Sequence, residues 1–415
     1  MSSKLKLLVA LVVTALPVST FAETLDSFVH SSITSNNKIK VLAVQAETAK
    51  LGVHKSDFYF LPSVTALTTA NENFKKQKNG DYDFKKNRTI EEQLNMSSLL
   101  WSDNVSKQSD IATKQYQVAL LNLATESQNI TAKIKTTAYS IKIYEDLIQT
   151  GETILKRAHS IQRNIKQKVD GGLAKGSDLT TANVLLAEME NAILATKMKI
   201  NQLKLSLEQV SGSKVPSDLI VTNQEVNSLI DDAVKTDVSG NIELRKKALD
   251  KDISRLSVST ATNLVDVSLQ AKAKYDIDNR TFEGKDSQVG LNVSLNLFDP
   301  STYWKRKAAV NKLRASVLEY DQLYHDLKIN VQSQETILSA NMALMDSEKH
   351  SVSIKKKLIK QRQDEYEINV TSLYELIQSW NSYYTSMQQL SDTKVTLVNT
   401  IMSIKTATGS VAGAK

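Results

Sequence analysis

The chain has 415 residues, 41% of them hydrophobic, a formal net charge of +7 at pH 7 and no cysteine. The apolar content excludes a disordered polar tail, and the lack of cysteine excludes disulfides, thiolate metal sites and a lipid-modified cysteine. The modest charge gives no argument for nucleic acid as a partner, and only four prolines and twelve glycines favour long helices.

The first 22 residues have the pattern of a secretory signal peptide. Lys4 and Lys6 precede an apolar segment from Leu7 to Leu16, and small residues end the stretch at Ala22. The segment is too short for a transmembrane helix, so we expect export and cleavage after Ala22. Cleavage removes two lysines and lowers the net charge from +7 to +5. A retained N-terminal anchor is the alternative.

The next part of the chain predicts a helix, two strands and a very long helical hairpin. Residues 25–59 have helical spacing, and a β-hairpin is predicted over about 61–101, with a polar, lysine-rich loop from Lys75 to Arg88. Residues 102–212 then read as two helical arms. An unbroken outgoing arm would be about 100 Å long, more than a compact globular domain needs. The pattern therefore indicates a structure that spans a distance.

Both arms of this hairpin carry apolar residues at alternating spacings of three and four, which is the seam of a coiled coil. Ser127, Thr137 and Thr196 are the polar residues within the seam. The outgoing seam is Tyr116, Leu120, Leu123, Ile130, Ile134, Ile141, Tyr144 and Ile148. The returning seam is Leu179, Ala182, Leu186, Met189, Ile193, Ile200, Leu203, Leu207 and Val210.

The second half of the chain repeats the first at a distance of 197 residues. Trp101 corresponds to Phe298, Gly172 to Asn369, Asp178 to Glu375 and Gly212 to Gly409. Two collinear copies indicate a duplication. We therefore expect a first repeat over 23–215, a second over 216–408 and a flexible end over 409–415. The second repeat contains a β-hairpin over about 263–298, with a loop from Asp276 to Asp286, and a long helical hairpin over 299–408, in which Val310 and Tyr324 belong to the seam.

The strands of both repeats alternate apolar and polar residues. Such strands are typical of a transmembrane β-barrel, and a half-buried soluble hairpin has the same pattern. Four strands do not close a barrel, whereas three chains together would supply twelve strands and a pore. The helical hairpins would then continue the wall as a hollow tube. A solid coiled-coil rod with the strands as a cap is the alternative.

The sequence resembles the outer-membrane efflux family, the TolC-like channel-tunnels of Gram-negative bacteria. The resemblance covers both halves and rests on the helix starts at Asn36 and Asn241, on Leu61-Pro62, on Leu297-Phe298-Asp299, and on the turn from Gly172 to Leu179. It implies a mainly α protein with a trimeric α-barrel and a twelve-stranded outer-membrane barrel. It further implies a homotrimer that docks onto a periplasmic adaptor and an inner-membrane transporter of the ABC, RND or MFS type.

The resemblance also places two tips at the periplasmic end, where the adaptor would bind. Tip one is Gly171, Gly172, Leu173 and Ser177, and tip two is Ile368, Asn369, Val370 and Ser372. Asp178 and Tyr366 match a pair that helps to close the tunnel. Thr371 stands where the family has an arginine, and Asn369 stands where glycine is usual. Asp178 is alternatively a residue of a first helical turn favoured by the helix dipole.

Trp101, Tyr303 and Trp304 fall at the junctions between strands and helices. Aromatic residues there are typical of a membrane–water boundary in contact with outer-membrane lipid, and packing at the base of the barrel is the alternative.

Nothing in the sequence indicates a cofactor, a metal site or an enzyme. The five histidines are far apart, the glycine-rich turn at 171–177 does not follow a buried strand, and Glu188 and Glu190 lie in charged helices.

The sequence thus predicts a passive, non-enzymatic conduit in the outer membrane, gated at its periplasmic tips. The cargo is either small molecules in efflux or proteins in type I secretion. A secreted, non-conducting coiled-coil adhesin or scaffold is the alternative.

Overall fold

The structure is a computed structural model that describes residues 24–72, 75–76, 82–83, 88–173, 175–216, 219–232, 234–262, 264–278, 281–368 and 370–411. The predicted signal peptide lies outside the described residues, as do residues 412–415 of the predicted flexible end.

The chain is mainly helical, with one four-stranded sheet. The helices are α1 (Leu25–Ser35), α2 (Asn37–Asp57), α3 (Val105–Asp170), α4 (Gly176–Ser211), α5 (Asn223–Asp231), α6 (Ile242–Thr260), α7 (Pro300–Glu367) and α8 (Leu373–Thr408). The strands are β1 (Ser63–Glu72), β2 (Lys75–Lys76), β3 (Tyr82–Asp83), β4 (Arg88–Ser102), β5 (Val265–Asp278) and β6 (Thr281–Leu295). None of the described helices combines the length and the apolarity needed to cross a membrane.

The two long helices are the two outgoing arms predicted from the sequence. α3 has 66 residues and α7 has 68, so each is about 100 Å long. α3 packs against α4 and α8, and the α4 seam is buried at Ala182, Met189 and Leu207. The seam hydroxyls of Thr137 and Thr196 donate to the carbonyls of Lys133 and Ala192, one turn earlier. Polar seam positions are thereby satisfied within their own helices.

The seam expected on α7 is wrong in part. Of its described residues only Ser316, Val331 and Met345 are buried, and the predicted seam residues Val310 and Tyr324 are exposed. The physical reason is position: among the described elements, α7 packs mainly on α8 and α6. Apolar side chains that face this contact, such as Leu338 and Ile359, are partly buried against the core, whereas Val310 and Tyr324 are not covered by it.

Two asparagines each join the start of one helix to the end of another, so that α2 and α4, and likewise α6 and α8, form continuous columns beside the long helices α3 and α7. The Asn36 side chain accepts from the backbone N–H of Lys38 at the start of α2, and its amide donates to the carbonyl of Val210 near the end of α4. Asn241 does the same between α6 and α8, accepting from Leu244 and donating to the Ala407 carbonyl. Each asparagine satisfies orphan groups of two helix ends at once.

The helices together form a wall, here called the helix layer. Contacts run from the α2/α4 column to α3, from α3 to the α6/α8 column, and from that column to α7. In addition, α4 contacts α8 directly, with Lys199 of α4 paired to Asp392 of α8 at 3.0 Å. The small helices α1 and α5 pack over α3 and α8. The layer has two outer edges, the α2/α4 column and α7.

The main sheet has the order β1-β4-β5-β6, and every pair is antiparallel. The loop predicted from Asp276 to Asp286 is wrong, because β5 continues to Asp278 and β6 begins at Thr281. The predicted loop from Lys75 to Arg88 contains the short β2–β3 pair. Polar strand ends, which look like loops by composition, cause both differences.

Two equivalent glycines end α4 and α8 in different surroundings. Gly212 and Gly409 have φ values of +71° and +72°, so both adopt the left-handed conformation that favours glycine. A Cβ on Gly212 would meet nothing within 4 Å, whereas a Cβ on Gly409 would lie 2.1 Å from the carbonyl oxygen of Gly240. The end of α8 is therefore pressed against the backbone that leads into α6.

We predict that Gly409→Ala destabilises the protein clearly more than Gly212→Ala. Both variants incur the left-handed strain of about 1–2 kcal/mol, and only Gly409→Ala adds a backbone clash of a further ~1–3 kcal/mol. Denaturant unfolding of both variants in detergent measures the difference. Equal losses of stability would show that α6 does not approach α8 as closely as described.

Candidate functional site

One face of the main sheet is apolar from edge to edge. Met96 on β4 pairs with Val64 on β1 and with Ala271 on β5, and Ala271 pairs with Val289 on β6. The rows on the same face toward the helices add pairs of apolar residues from β5 and β6. These pairs are Leu269 with Leu291, Val267 with Val293, and Val265 with Leu295.

The opposite face is polar. The neighbouring row across the sheet is Thr65, Asn95, Lys272 and Gln288. Lys274, also on this face, forms an ion pair with Glu91 at 3.2 Å. The two faces therefore require two different environments.

Neither environment is supplied by the chain itself. No helix in the described part of the chain packs along the sheet, and Val289, Leu291, Val293 and Leu295 are all exposed. β1 and β6 are the two edges, and each has only one hydrogen-bonded neighbour. The sheet is thus open at two edges and uncovered on its apolar face.

The predicted boundary aromatics lie at the end of this sheet that joins the helices. Trp101 is exposed near the end of β4, and Tyr303 and Trp304 are exposed in the first turn of α7. The rings of Tyr303 and Trp304 meet edge to face, with centroids 4.9 Å apart. Trp101 pairs with Val267 of the apolar face, and all three residues contribute little to the core.

Tip one is a helix end stabilised by glycine. Gly172 has a φ of +72°, its N–H donates to the Val169 carbonyl, and the Leu173 N–H donates to the Lys168 carbonyl at 2.7 Å. This is a Schellman motif, in which an apolar residue at the Leu173 position usually packs on the helix. Leu173 is instead 82% exposed.

The remaining predicted residues of tip one belong to the turn and to the first turn of α4. Gly171 is the C-cap of α3, and Ser177 follows Gly176, at which α4 begins. Asp178 is exposed in that first turn, where a carboxylate is favoured by the helix dipole. Within the described part of the chain it forms no ion pair and no side-chain hydrogen bond. Its predicted gating role stays a prediction.

Tip two shares one backbone hydrogen bond with tip one, the counterpart of the bond from Leu173 to Lys168. The Val370 N–H donates to the Glu365 carbonyl at 2.8 Å, and both Ile368 and Val370 are 70% exposed. Ser372 is the N-cap of α8 and forms a capping box with Glu375. Asn369 lies outside the described residues.

A cluster of side chains that the sequence did not reveal closes tip two. One η-nitrogen of Arg362 donates to the Thr371 hydroxyl at 2.8 Å and to the Glu375 carboxylate at 3.1 Å, and the Thr371 hydroxyl donates to the same carboxylate. Arg362 also lies 3.4 Å from Glu365. Thr371, which replaces the expected arginine, is thus held by an arginine from the preceding helix.

These donors stabilise the charged form of Glu375. The Thr371 hydroxyl, followed by the Ser372 backbone N–H and Arg362, lowers the pKa of Glu375 below its ordinary value of 4.5. The Ser372-x-x-Glu375 spacing is a capping-box signal that the sequence alone could have provided. Arg362 had no such signal, because its partners lie beyond the turn.

Tyr366 does not contact Asp178 in the described chain. Its ring lies 5.8 Å from the Lys168 ammonium on α3, which links the ends of the two outgoing arms. Burial raises the pKa of Tyr366, so the phenol is neutral at physiological pH. The predicted pairing of Asp178 with Tyr366 is therefore not formed within one chain.

No cluster of three or more His, Asp or Glu side chains in the described ranges has the geometry of a metal site.

Comparisons with solved structures identify the fold. The chain matches CusC with a TM-score of 0.76 at 12% identity, covering 93% of this chain and 92% of CusC. It matches the CmeC outer membrane channel of Campylobacter jejuni with a TM-score of 0.73 at 14% identity, covering 93% of this chain and 85% of CmeC. It matches the outer membrane protein VceC of Vibrio cholerae with a TM-score of 0.73 at 12% identity, covering 93% of this chain and 96% of VceC.

No protein-family model and no curated protein sequence matches the chain. The predicted resemblance is confirmed as a likeness of fold: the chain has the fold of TolC-like outer-membrane efflux channels.

We predict that Glu375→Ala loosens tip two, because it removes the acceptor of Arg362, Thr371 and the Ser372 N–H. Hydrogen–deuterium exchange of residues 371–376 at pH 7 should accelerate severalfold. In the unmodified chain the lowered pKa means that this protection is complete above pH 4.5 and is lost as the pH falls through the lowered value.

The matched control is Asp178→Ala, the equivalent position 197 residues earlier. Asp178 has no side-chain partner in the described chain, so exchange at tip one should change little. Equal acceleration at both tips would mean that the carboxylates act through the helix dipole alone.

Proposed function

We propose that the chain is one subunit of a trimeric outer-membrane channel-tunnel. Substrates cross it passively after delivery by a periplasmic adaptor and an inner-membrane transporter. The observation that carries the proposal is the four-stranded sheet with an uncovered apolar face and two unpaired edges. The fold shared with CusC, CmeC and VceC supports it.

The uncovered face fits lipid. Its apolar rows extend along β6 from Val289 to Leu295. The row of Ala66, Leu94 and Ala273 lengthens this face by one more row, which meets β6 at Ser287. The length of the face along the strand is therefore close to the 9–11 residues that span a bilayer as a tilted strand. Exposing such a face to water is unfavourable, because each apolar Å² left in water forgoes about 25 cal/mol. The polar face with Lys272 and Lys274 would line the pore.

The unpaired edges fit three copies. β6 of one copy would pair with β1 of the next, and three copies close twelve strands without a free edge. The helix layer also needs a neighbouring copy at each edge, because its two outer edges expose apolar residues. These include Val44, Leu51, Val184, Leu194 and Met198 on the α2/α4 column, and Leu318, Ile329, Ile337, Leu344 and Ile354 on α7. A closed trimer would cover both sets.

The tips fit a docking and gating role. Leu173, Ile368 and Val370 are apolar, exposed and placed at the far ends of the helical hairpins. Apolar residues at such positions are available to a partner, for which a periplasmic adaptor is our proposal. Asp178 has no side-chain partner among the residues that the structure describes, so three copies of Asp178 would be free to narrow the aperture.

We predict that Leu291→Lys blocks insertion into lipid vesicles, whereas Asn292→Lys does not. Leu291 lies on the apolar face and Asn292 on the polar face of the same strand, so only the first variant places a charge in lipid, at a cost of about 2–4 kcal/mol. Resistance of the vesicle-bound protein to protease measures insertion. If both variants insert equally well, or if the unmodified chain stays soluble without detergent, the sheet is not a membrane barrel.

We further predict small, steady single-channel currents from the purified protein in a planar bilayer, together with a trimeric mass in detergent. Asp178→Ala should increase the current by widening the tip aperture. The control is Asp170→Ala, which removes one negative charge from the last residue of α3, at the other end of the same helix-to-helix connection. This variant should leave the current unchanged. Trimers that insert without current would contradict the conduit, and equal effects of the two variants would contradict the gate.

A further inference from the structure

The first turns of α7 are strongly basic. Residues 300–314 contain Lys305, Arg306, Lys307, Lys312 and Arg314, and no acidic residue. The equivalent stretch of the first repeat, 103–117, carries two lysines balanced by Asp103 and Asp110. It also has no aromatic residue before Tyr116. The duplicated architecture does not require this charge, so the second repeat acquired it for a separate reason.

Tyr303, Trp304, Lys305, Arg306 and Lys307 are consecutive residues in the first turns of α7, here called the cationic step. Tyr303 and Trp304 are 61% and 65% exposed, and their rings stack edge to face. The Lys307 ammonium lies 5.6 Å from the centroid of Trp304 and 6.0 Å from that of Tyr303. A cation is thereby held over two rings at the surface.

The positive charge of the step is not neutralised locally. Lys305 is 3.8 Å from Asp299, but the Asp299 carboxylate already accepts from the Ser301 N–H and hydroxyl as the N-cap of α7. Arg306 and Lys307 form no ion pair with any residue that the structure describes. Three exposed cations therefore lie within about one helical turn of the two exposed aromatic rings, and Lys307 lies over the rings themselves.

The step lies where the apolar face of the sheet ends. Leu295 is the last residue of β6, and the exposed Leu297 and Phe298 follow before α7 begins at Pro300. In a bilayer this level is the boundary between acyl chains and headgroups, where amphipathic aromatic rings are favoured. The cations of the step would meet the headgroups of the periplasmic leaflet, where a phosphate is the available anion.

We propose that the cationic step binds the phosphate of an anionic phospholipid in the periplasmic leaflet. The inference rests on the membrane location argued under the proposed function. Lys305, Arg306 and Lys307 would bind the headgroup, while Tyr303 and Trp304 contact its glycerol and upper acyl chain. An acidic protein fits less well, because the apolar Leu297 and Phe298 beside the step match an acyl chain.

The test uses Trp304 as a reporter. The chain has three tryptophans, so Trp101→Phe and Trp380→Phe leave Trp304 as the sole tryptophan of each subunit, whose emission is selected by exciting at a wavelength that tyrosine does not absorb. The protein is inserted into vesicles of phosphatidylcholine and phosphatidylglycerol, with one or the other lipid brominated. Brominated phosphatidylglycerol should quench Trp304 with an apparent affinity about fivefold higher than that of brominated phosphatidylcholine. In Lys305→Gln/Arg306→Gln/Lys307→Gln the preference should disappear.

The matched control is Lys356→Gln/Lys357→Gln/Lys360→Gln. It removes the same charge from the same helix about 75 Å away and should keep the preference. Equal quenching by both lipids, no quenching by either, or an equal loss in the control would overturn the inference. A monomeric mass for the triple variant would also overturn it, because the cations would then serve subunit contacts. Failure of the unmodified chain to insert would instead refute the membrane location itself.

Discussion

The apolar face of the four-stranded sheet is the constraint on which the rest of the structure depends. A sheet that is apolar on one face and polar on the other must separate two environments, and the chain provides a cover for neither face. Its edge strands β1 and β6 also carry backbone groups that need partners. A closed barrel in lipid satisfies the face and the edges together, whereas a soluble monomer satisfies neither. The exposed apolar residues on both edges of the helix layer also need a cover, and the proposed symmetric trimer would meet both requirements.

The length of the wall depends on backbone hydrogen bonding at four helix ends. α2 and α6 are too short to accompany α3 and α7 over ~100 Å, and Asn36 and Asn241 solve this by capping one helix while donating to the last turn of another. The columns then act as long helices although the chain leaves and re-enters them. Polar seam residues such as Thr137 add no unsatisfied groups, because their hydroxyls bond within the same helix. A polar sequence can therefore build a regular wall.

Most of the fold could be predicted from the sequence, because it follows from periodicity and duplication. Apolar residues at alternating spacings of three and four predicted the long helical hairpins, and apolar residues at every second position predicted the strands. The constant offset of 197 residues showed that the two halves are copies of one unit. The exposure of Val310 and Tyr324 could not be predicted, since it depends on which helix has a neighbour and not on the helix itself. The Arg362 cluster at tip two was missed for a similar reason: Arg362, Thr371 and Glu375 belong to two helices and a turn, and only the folded turn brings them together.

The duplication makes the remaining differences between the repeats informative. The two tips share one backbone hydrogen bond, yet Glu375 is bound by Arg362, Thr371 and Ser372, while the equivalent Asp178 has no side-chain partner in the described chain. The turn between α7 and α8 is thus stabilised by side chains of its own hairpin. Among its described residues, the turn between α3 and α4 is stabilised by backbone hydrogen bonds and by the left-handed conformation of Gly172. In the proposed trimer, the Asp178 carboxylate at tip one would therefore be available for contacts with other subunits or an adaptor, whereas the equivalent Glu375 at tip two is already bound.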